Sequence, residues 1–189
     1  PVLAARLRAA TRGHPEAKPA PPLGRQLARY ALVRLVQPTL VVECGVKHGL
    51  GSGVMLRALE RNGEDGGAPG TLIGIDPDPG AGWLVAEGTA GWERAVGRST
   101  DVLPGVLAGR AVGMLVHDSV PDAAVAAHEL GAALDHAATT LALVSNGNWS
   151  SVLRDLAAER GFPCRSVAEV PAGHFYPGAR QDVAVVRAC

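Results

Sequence analysis

Five polar side chains in this sequence close short apolar runs. They are Glu43 after TLVV, Asp76 after TLIGI, Ser99 in the turn GRSTD, Asp118 in the run VGMLVHD, and Asn146 after TTLALVS. Such residues hold ligands by hydrogen bonding, and a carboxylate at a strand end can accept from loop amides or from a ligand's polar head. Glu43 is followed by four glycines, Gly45, Gly49, Gly51 and Gly53. Glycine takes positive φ and lets a ligand lie directly against the main chain. Strand, glycine-rich turn and helix make the first unit of a nucleotide-binding α/β sheet. Asp76 closes the second strand, where a carboxylate can accept both hydrogen bonds of a ribose diol.

These side chains meet only if a sheet carries them. The apolar pattern predicts strands over 39–43, 71–76, 92–96, 112–116, 140–144, 165–170 and 181–187. It predicts helices over 23–36, 54–61, 83–90, 102–108, 121–137 and 149–160, the last stopped by Gly161. Strands and helices alternate almost throughout. The fold class expected is therefore α/β, a doubly wound, mostly parallel seven-stranded sheet with ligands at the carboxyl ends of its strands. Only the loop 171–180 separates the last two strands, too little for a helical crossover, so they should pair antiparallel. Residues 1–22, with a short basic helix over 2–11 and a proline-rich stretch over 13–22, read as an N-terminal arm to a domain spanning 23–189. The arm and the loop 171–180 are expected to form a lid over the crevice.

Composition narrows the partners. A chain of 189 residues fits one domain, and 47% apolar with 19% charged residues is a globular composition. The 18 basic and 18 acidic residues cancel, and there is no dense basic cluster beyond the first thirty residues, so neither a nucleic-acid nor a membrane surface is expected. No apolar run approaches the roughly 20 residues of a membrane span. Cys44, Cys164 and Cys189 match neither a disulfide framework nor a zinc pattern, which reads as reduced thiols in the cytoplasm. No signal peptide is evident, and the start at Pro1 leaves room for residues upstream.

With the motifs ECGVKHG, IDPDP, GRSTD, VHDS and VSNGN in this order, the chain from Leu23 to Arg187 resembles a class I S-adenosylmethionine-dependent methyltransferase. The pattern is nearest to the small catechol-type O-methyltransferases and the bacterial tailoring enzymes of natural-product pathways. The resemblance implies a Rossmann-like fold, S-adenosylmethionine as cofactor, and a small-molecule acceptor methylated at a hydroxyl of a natural product or sugar. It implies that Glu43 and Gly45 lie against the methionine part of the cofactor, with Gly49 and Gly51 close to it. Asp76 would hold the ribose, and Arg98 with Ser99 would lie along the adenine. Lys47, inside the glycine loop, is expected to touch the cofactor carboxylate. Many relatives are dimers, and a homodimer is implied here too.

Asp118 matches an acid that binds a divalent metal beside the methionine end, and Ser145-Asn146 matches the Asp-Asn pair completing that site. Magnesium or another divalent cation at Asp118 and Asn146 is thus implied. Serine at 145 argues against it, because a hard dication wants several oxygen ligands with carboxylates among them. Without a metal, Asp118 would orient substrate or cofactor.

Methyl transfer from a sulfonium is an in-line displacement, so alignment of the reacting atoms supplies much of the rate. A hydroxyl acceptor must also lose its proton, to a metal-bound site or to a base. His117, His174 and His48 are the histidines on the expected ligand side, with His174 beside Phe175 and Tyr176. Two other readings stand. An NAD-dependent oxidoreductase shares the glycine loop and the second-strand acid, but the loop here lacks the G-x-G-x-x-G spacing. A degenerate, non-catalytic binding protein of the same fold would account for the serine at 145.

Overall fold

The computed structural model describes residues 26–137, 140–169 and 179–187. The N-terminal arm, most of the loop 171–180 and His174 lie outside the described residues, and so does the lid expected from them.

The elements run α1 (Gln26–Val36), β1 (Leu40–Cys44), α2 (Leu50–Glu64), β2 (Thr71–Asp76), β3 (Trp92–Val96), α3 (Ser99–Leu107), β4 (Met114–His117), α4 (Ala123–Asp135), β5 (Leu141–Asn146), α5 (Val152–Arg160), β6 (Cys164–Glu169) and β7 (Ala179–Val186). They build a seven-stranded sheet in the order β3-β2-β1-β4-β5-β7-β6. The first five strands are parallel. β7 runs antiparallel to both β5 and β6, as the short connection demands.

Burial follows position in the sheet. β1, β2, β4 and β5 are near-continuous apolar runs because helices cover both their faces. The outer strands β3 (WERAV) and β6 (CRSVAE) carry charges and are largely exposed, which blunts the two edges. Side chains alternate across each central strand. Val42, Cys44, Leu115 and Leu143 pack on one face with Leu103 of α3, Leu130 of α4 and Leu153 of α5. Val41, Met114, Val116 and Val144 pack on the other with Val33 of α1 and Met55 and Leu59 of α2.

One expected helix is absent. Residues 83–90 form turns, because Gly82 and Gly88 sit at φ 85° and 75° and the segment is fastened elsewhere. Gly82 N–H donates to Lys47 O at 2.7 Å and Leu84 N–H to His48 O at 3.0 Å, so this stretch braces the glycine loop. Boundaries also move. α2 begins at Leu50 and takes Gly51 and Gly53 into its first turns, α3 begins at Ser99, and α5 begins at Val152, leaving Trp149 in a turn.

Candidate active site

Register brings the strand ends to one rim. Glu43 and Cys44 lie opposite Gly74 and Ile75 on β2 and opposite Val116 and His117 on β4. His117 lies opposite Ser145, and Asn146 opposite Gln181. The alternation then divides the rim. Glu43, Asn146 and Gln181 face α1 and α2, whereas Cys44, His117 and Ser145 face α3, α4 and α5.

On the first face the organising residue is Arg29 of α1, only 2% exposed. Its Nη1 donates to Glu43 Oε1 at 3.1 Å, its Nη2 to Asp118 Oδ2 at 2.7 Å and its Nε to Gln181 Oε1 at 3.3 Å. Ser52 Oγ donates to the other Glu43 oxygen, and Asn146 Nδ2 donates to Asp118 Oδ1 at 3.3 Å. Burial pulls the Arg29 guanidinium down, but Asp118 and Glu43 outweigh it and hold Arg29 above its ordinary value. Burial pushes Glu43 up to about 7, against the opposing pull of Arg29 and Ser52.

That shift fixes a pH dependence. The folded chain keeps the Glu43 proton to higher pH than the unfolded chain, so this group favours folding most at low pH. Its contribution falls as pH rises from 4.5 to about 7. The stability of wild type minus that of Glu43→Gln is expected to fall by on the order of 3 kcal/mol across that window, read by urea unfolding. A difference that rises with pH would contradict the assignment.

Gly51 belongs to this cluster. A Cβ there would sit 2.5 Å from Arg29 Nη1 and 2.7 Å from Glu43 Oε1, whereas one at Gly53 meets open space. Gly51→Ala is therefore expected to cost about 1–3 kcal/mol by overpacking, while Gly53→Ala should stabilise the helix by about 0.5–1 kcal/mol. Equal effects of the two substitutions in urea unfolding would speak against this packing.

The glycine loop and Asp76 form a single edge. Asp76 Oδ2 accepts from Val46 N–H at 3.0 Å and Lys47 N–H at 2.9 Å, and Oδ1 accepts from Asp78 N–H at 2.9 Å. Gly45, at φ 89°, passes so close to β4 that a Cβ would meet Asp118 O at 2.5 Å. Gly49, at φ 85°, opens α2. Lys47 holds φ 50°, a strained conformation for a residue with a side chain. A small, shallow cleft opens beside Asp76, lined by Val46, Gly74, Asp78, Arg94 and Val96 among others. An acid, two positive-φ glycines and a cleft at the β2 end are the parts a ribose-bearing cofactor requires.

The second face carries a separate polar cluster around Glu129 of α4, which is fully buried. Glu129 Oε2 lies 2.6 Å from His117 Nδ1, and Oε1 accepts from Ser119 Oγ at 2.8 Å and from Ser99 Oγ. A carboxylate only accepts, which puts the proton on Nδ1. Ser99 thus turns its hydroxyl inward and presents only its backbone at the N-terminus of α3, beside Arg98. Burial, then the neighbouring Glu129, push the Cys44 thiol well up, so it stays protonated. Arg29, Glu129 and Gln181 were not singled out from the sequence. The signal existed for two of them. Arg29 falls between Gln26 and Val33 on the buried stripe of α1, and Glu129 lies among Ala126, Leu130 and Ala133 on that of α4.

The residues present do not fit the divalent metal that the resemblance implies. Both Asp118 oxygens accept hydrogen bonds, one of them from a guanidinium. Asn146 turns its NH₂ group toward Asp118, and its carbonyl oxygen accepts from Asn148 N–H at 3.3 Å. Ser145 Oγ is buried on the opposite face, with no hydrogen-bond partner among the described residues. Among the described residues no group of three His, Cys, Asp or Glu is placed to hold an ion.

Residues 42–146, more than half of the chain, match the family described as a methyltransferase domain. The chain belongs to the methyltransferase-domain family. That match displaces the oxidoreductase alternative. A search of curated proteins finds no match to this methyltransferase-domain chain. Its fold is similar to solved structures. The O-methyltransferase TomG from Streptomyces achromogenes, involved in tomaymycin synthesis and crystallised with S-adenosylmethionine, is 21% identical with a TM-score of 0.69, over 98% of this chain and 90% of that one. An O-methyltransferase from Bacillus cereus, in complex with S-adenosylhomocysteine, is 14% identical with a TM-score of 0.71, over 98% and 90%. The Podospora anserina methyltransferase PaMTH1, also bound to S-adenosylhomocysteine, is 12% identical with a TM-score of 0.61, over 95% and 86%. At these identities the likeness establishes the shared fold.

Proposed function

We propose that this chain uses S-adenosylmethionine to methylate a small-molecule acceptor at a hydroxyl group, of a natural product or a sugar. The observation that carries the proposal is the Asp76 carboxylate tied to the amides of Val46 and Lys47, which makes the second-strand acid and the glycine loop one edge of one cleft. Family membership and the cofactor-bound neighbours support it. In this reading Asp76 takes the ribose, Gly45 and Gly49 keep the loop close to the cofactor, and Lys47 takes its carboxylate. Glu43 lies behind the methionine end, Gly51 leaves room for the pair beneath it, and Arg98 with the Ser99 backbone lies along the adenine.

When bound, S-adenosylmethionine supplies an electrophilic methyl group and leaves as the neutral thioether. The chain must align an acceptor oxygen with that methyl and take up the hydroxyl proton. In this reading Asp118 is the proton acceptor, supported by its place at the rim, where its side chain is 15% exposed and is held by Arg29 and Asn146. His117 is buried against Glu129 and serves to position the β4 end instead.

The protein is taken to work as a homodimer in the cytoplasm. Leu27 and Leu35, exposed on α1, are apolar surface available to a second copy. Cys44 and Cys164 are unpaired thiols, and among the described residues no helix is long and apolar enough to cross a membrane. A second reading, a cofactor-binding protein without transfer activity, draws on the full engagement of Asp118 by Arg29 and Asn146. Methyl-labelled S-adenosylmethionine, offered with a panel of catechols, phenols and sugars, separates the two. Label transferred by wild type and lost with Asp118→Ala is the expected result. Cofactor binding with no transfer across the panel would favour the second reading.

A further inference from the structure

The place beside Asp118 where the resemblance implies a dication is taken by a cation of the chain itself. We infer that Arg29 is the resident cation of this site and that its guanidinium keeps divalent ions from Asp118. Arg29 acts through Asp118 and Glu43, so it is a positioning residue, and the inference rests on the methyltransferase reading only for the use to which Asp118 is put.

Three observations converge. The guanidinium nitrogen lies 2.7 Å from Asp118 Oδ2. A magnesium or calcium ion would need that carboxylate at about 2.0–2.6 Å, and two positive centres at such spacing repel strongly in a partly buried site. The guanidinium is also unable to step aside at low cost. Glu43 and Gln181 hold its other nitrogens, and the missing Cβ of Gly51 leaves the space it fills. Moving it would leave the Glu43 carboxylate, 1% exposed, without its counter-charge. Lastly, the neighbours that would complete an ion's shell are turned to other uses. Asn146 donates to Asp118, and Ser145 Oγ faces the other side of the sheet.

Manganese is the probe, followed as loss of the free-ion paramagnetic resonance signal, with and without S-adenosylhomocysteine. Wild type is expected to take up no ion. Arg29→Met, which removes the guanidinium from Asp118 and Glu43, is expected to take up one ion per chain. The same variant carrying Asp118→Asn should lose it, and Arg29→Lys, which keeps the charge, should stay free of ion. Uptake of one ion by wild type that Asp118→Asn abolishes would overturn the inference, as would a folded Arg29→Met that takes up none. If circular dichroism shows Arg29→Met unfolded, the wild-type and Arg29→Lys titrations decide on their own: uptake by either overturns the inference and uptake by neither upholds it. Binding of S-adenosylhomocysteine in the same samples reports on the methyltransferase reading separately, whatever the manganese does.

Discussion

Replacing Asp76 by alanine is expected to weaken S-adenosylmethionine binding by about a hundredfold or more. Two effects add. The ribose diol loses a charged acceptor, and hydrogen bonds to a charged group are worth about 1.5–3 kcal/mol each. About 1.4 kcal/mol corresponds to a factor of ten in affinity. The loop also loses its tether, because the amides of Val46, Lys47 and Asp78 all end on this one carboxylate. Lys47 is held at φ 50° by that tether, so its release lets the loop relax away from the cleft. Asp76→Asn keeps one acceptor oxygen and should fall between the alanine variant and wild type in calorimetric titration. An Asp76→Ala protein that binds as wild type does would remove Asp76 from the cofactor site.

Arg29→Met is expected to lower folding stability by about 3–5 kcal/mol, the scale for breaking a buried ion pair from one side. The reason is what remains. Glu43 stays buried beneath α1 without the guanidinium, and Asp118 and Gln181 each lose a hydrogen bond from it. Arg57 on α2 provides the contrast. It pairs with Glu60 and Glu64, but all three are substantially exposed. Such surface pairs contribute about 0–1 kcal/mol, so Arg57→Ala should change the urea midpoint little. Arg29→Lys should recover only part of the loss, because an ammonium is a point charge and cannot span three partners in the plane of a guanidinium. Similar losses from Arg29→Met and Arg57→Ala would mean that the network contributes no more than surface charge does.

Much of the fold was legible because it follows from periodicity. The apolar runs around Val41, Ile73, Leu115 and Leu143 specify buried parallel strands, and the short connection before the last strand specifies its antiparallel pairing. The expected helix over 83–90 failed because composition favoured it locally while Gly82 and Gly88 took positive φ and the backbone bonded to the glycine loop. Tertiary hydrogen bonds outweighed propensity there. The site was legible along the strands and less so across the layers. Glu43, Asp76, Asp118 and Asn146 each lie at or beside the carboxyl end of a strand, where the apolar pattern points. Arg29 and Glu129 come from helices on opposite faces, and only packing reveals that each reaches a strand end. Their trace in the sequence is a charged residue on an otherwise apolar helical stripe, a position where charge is costly unless a partner waits inside. Ser99 shows the converse. It is expected in the turn after β3 but opens α3 instead, and its hydroxyl turns inward to Glu129.

Calorimetric titration of the wild-type chain with S-adenosylhomocysteine tests the central claim most directly. One saturable site per chain, matched by S-adenosylmethionine and weakened by Asp76→Ala, is the result expected of a cleft built from the glycine loop and the second-strand acid. No heat with either nucleoside, or saturable binding of NAD in their place, would contradict it.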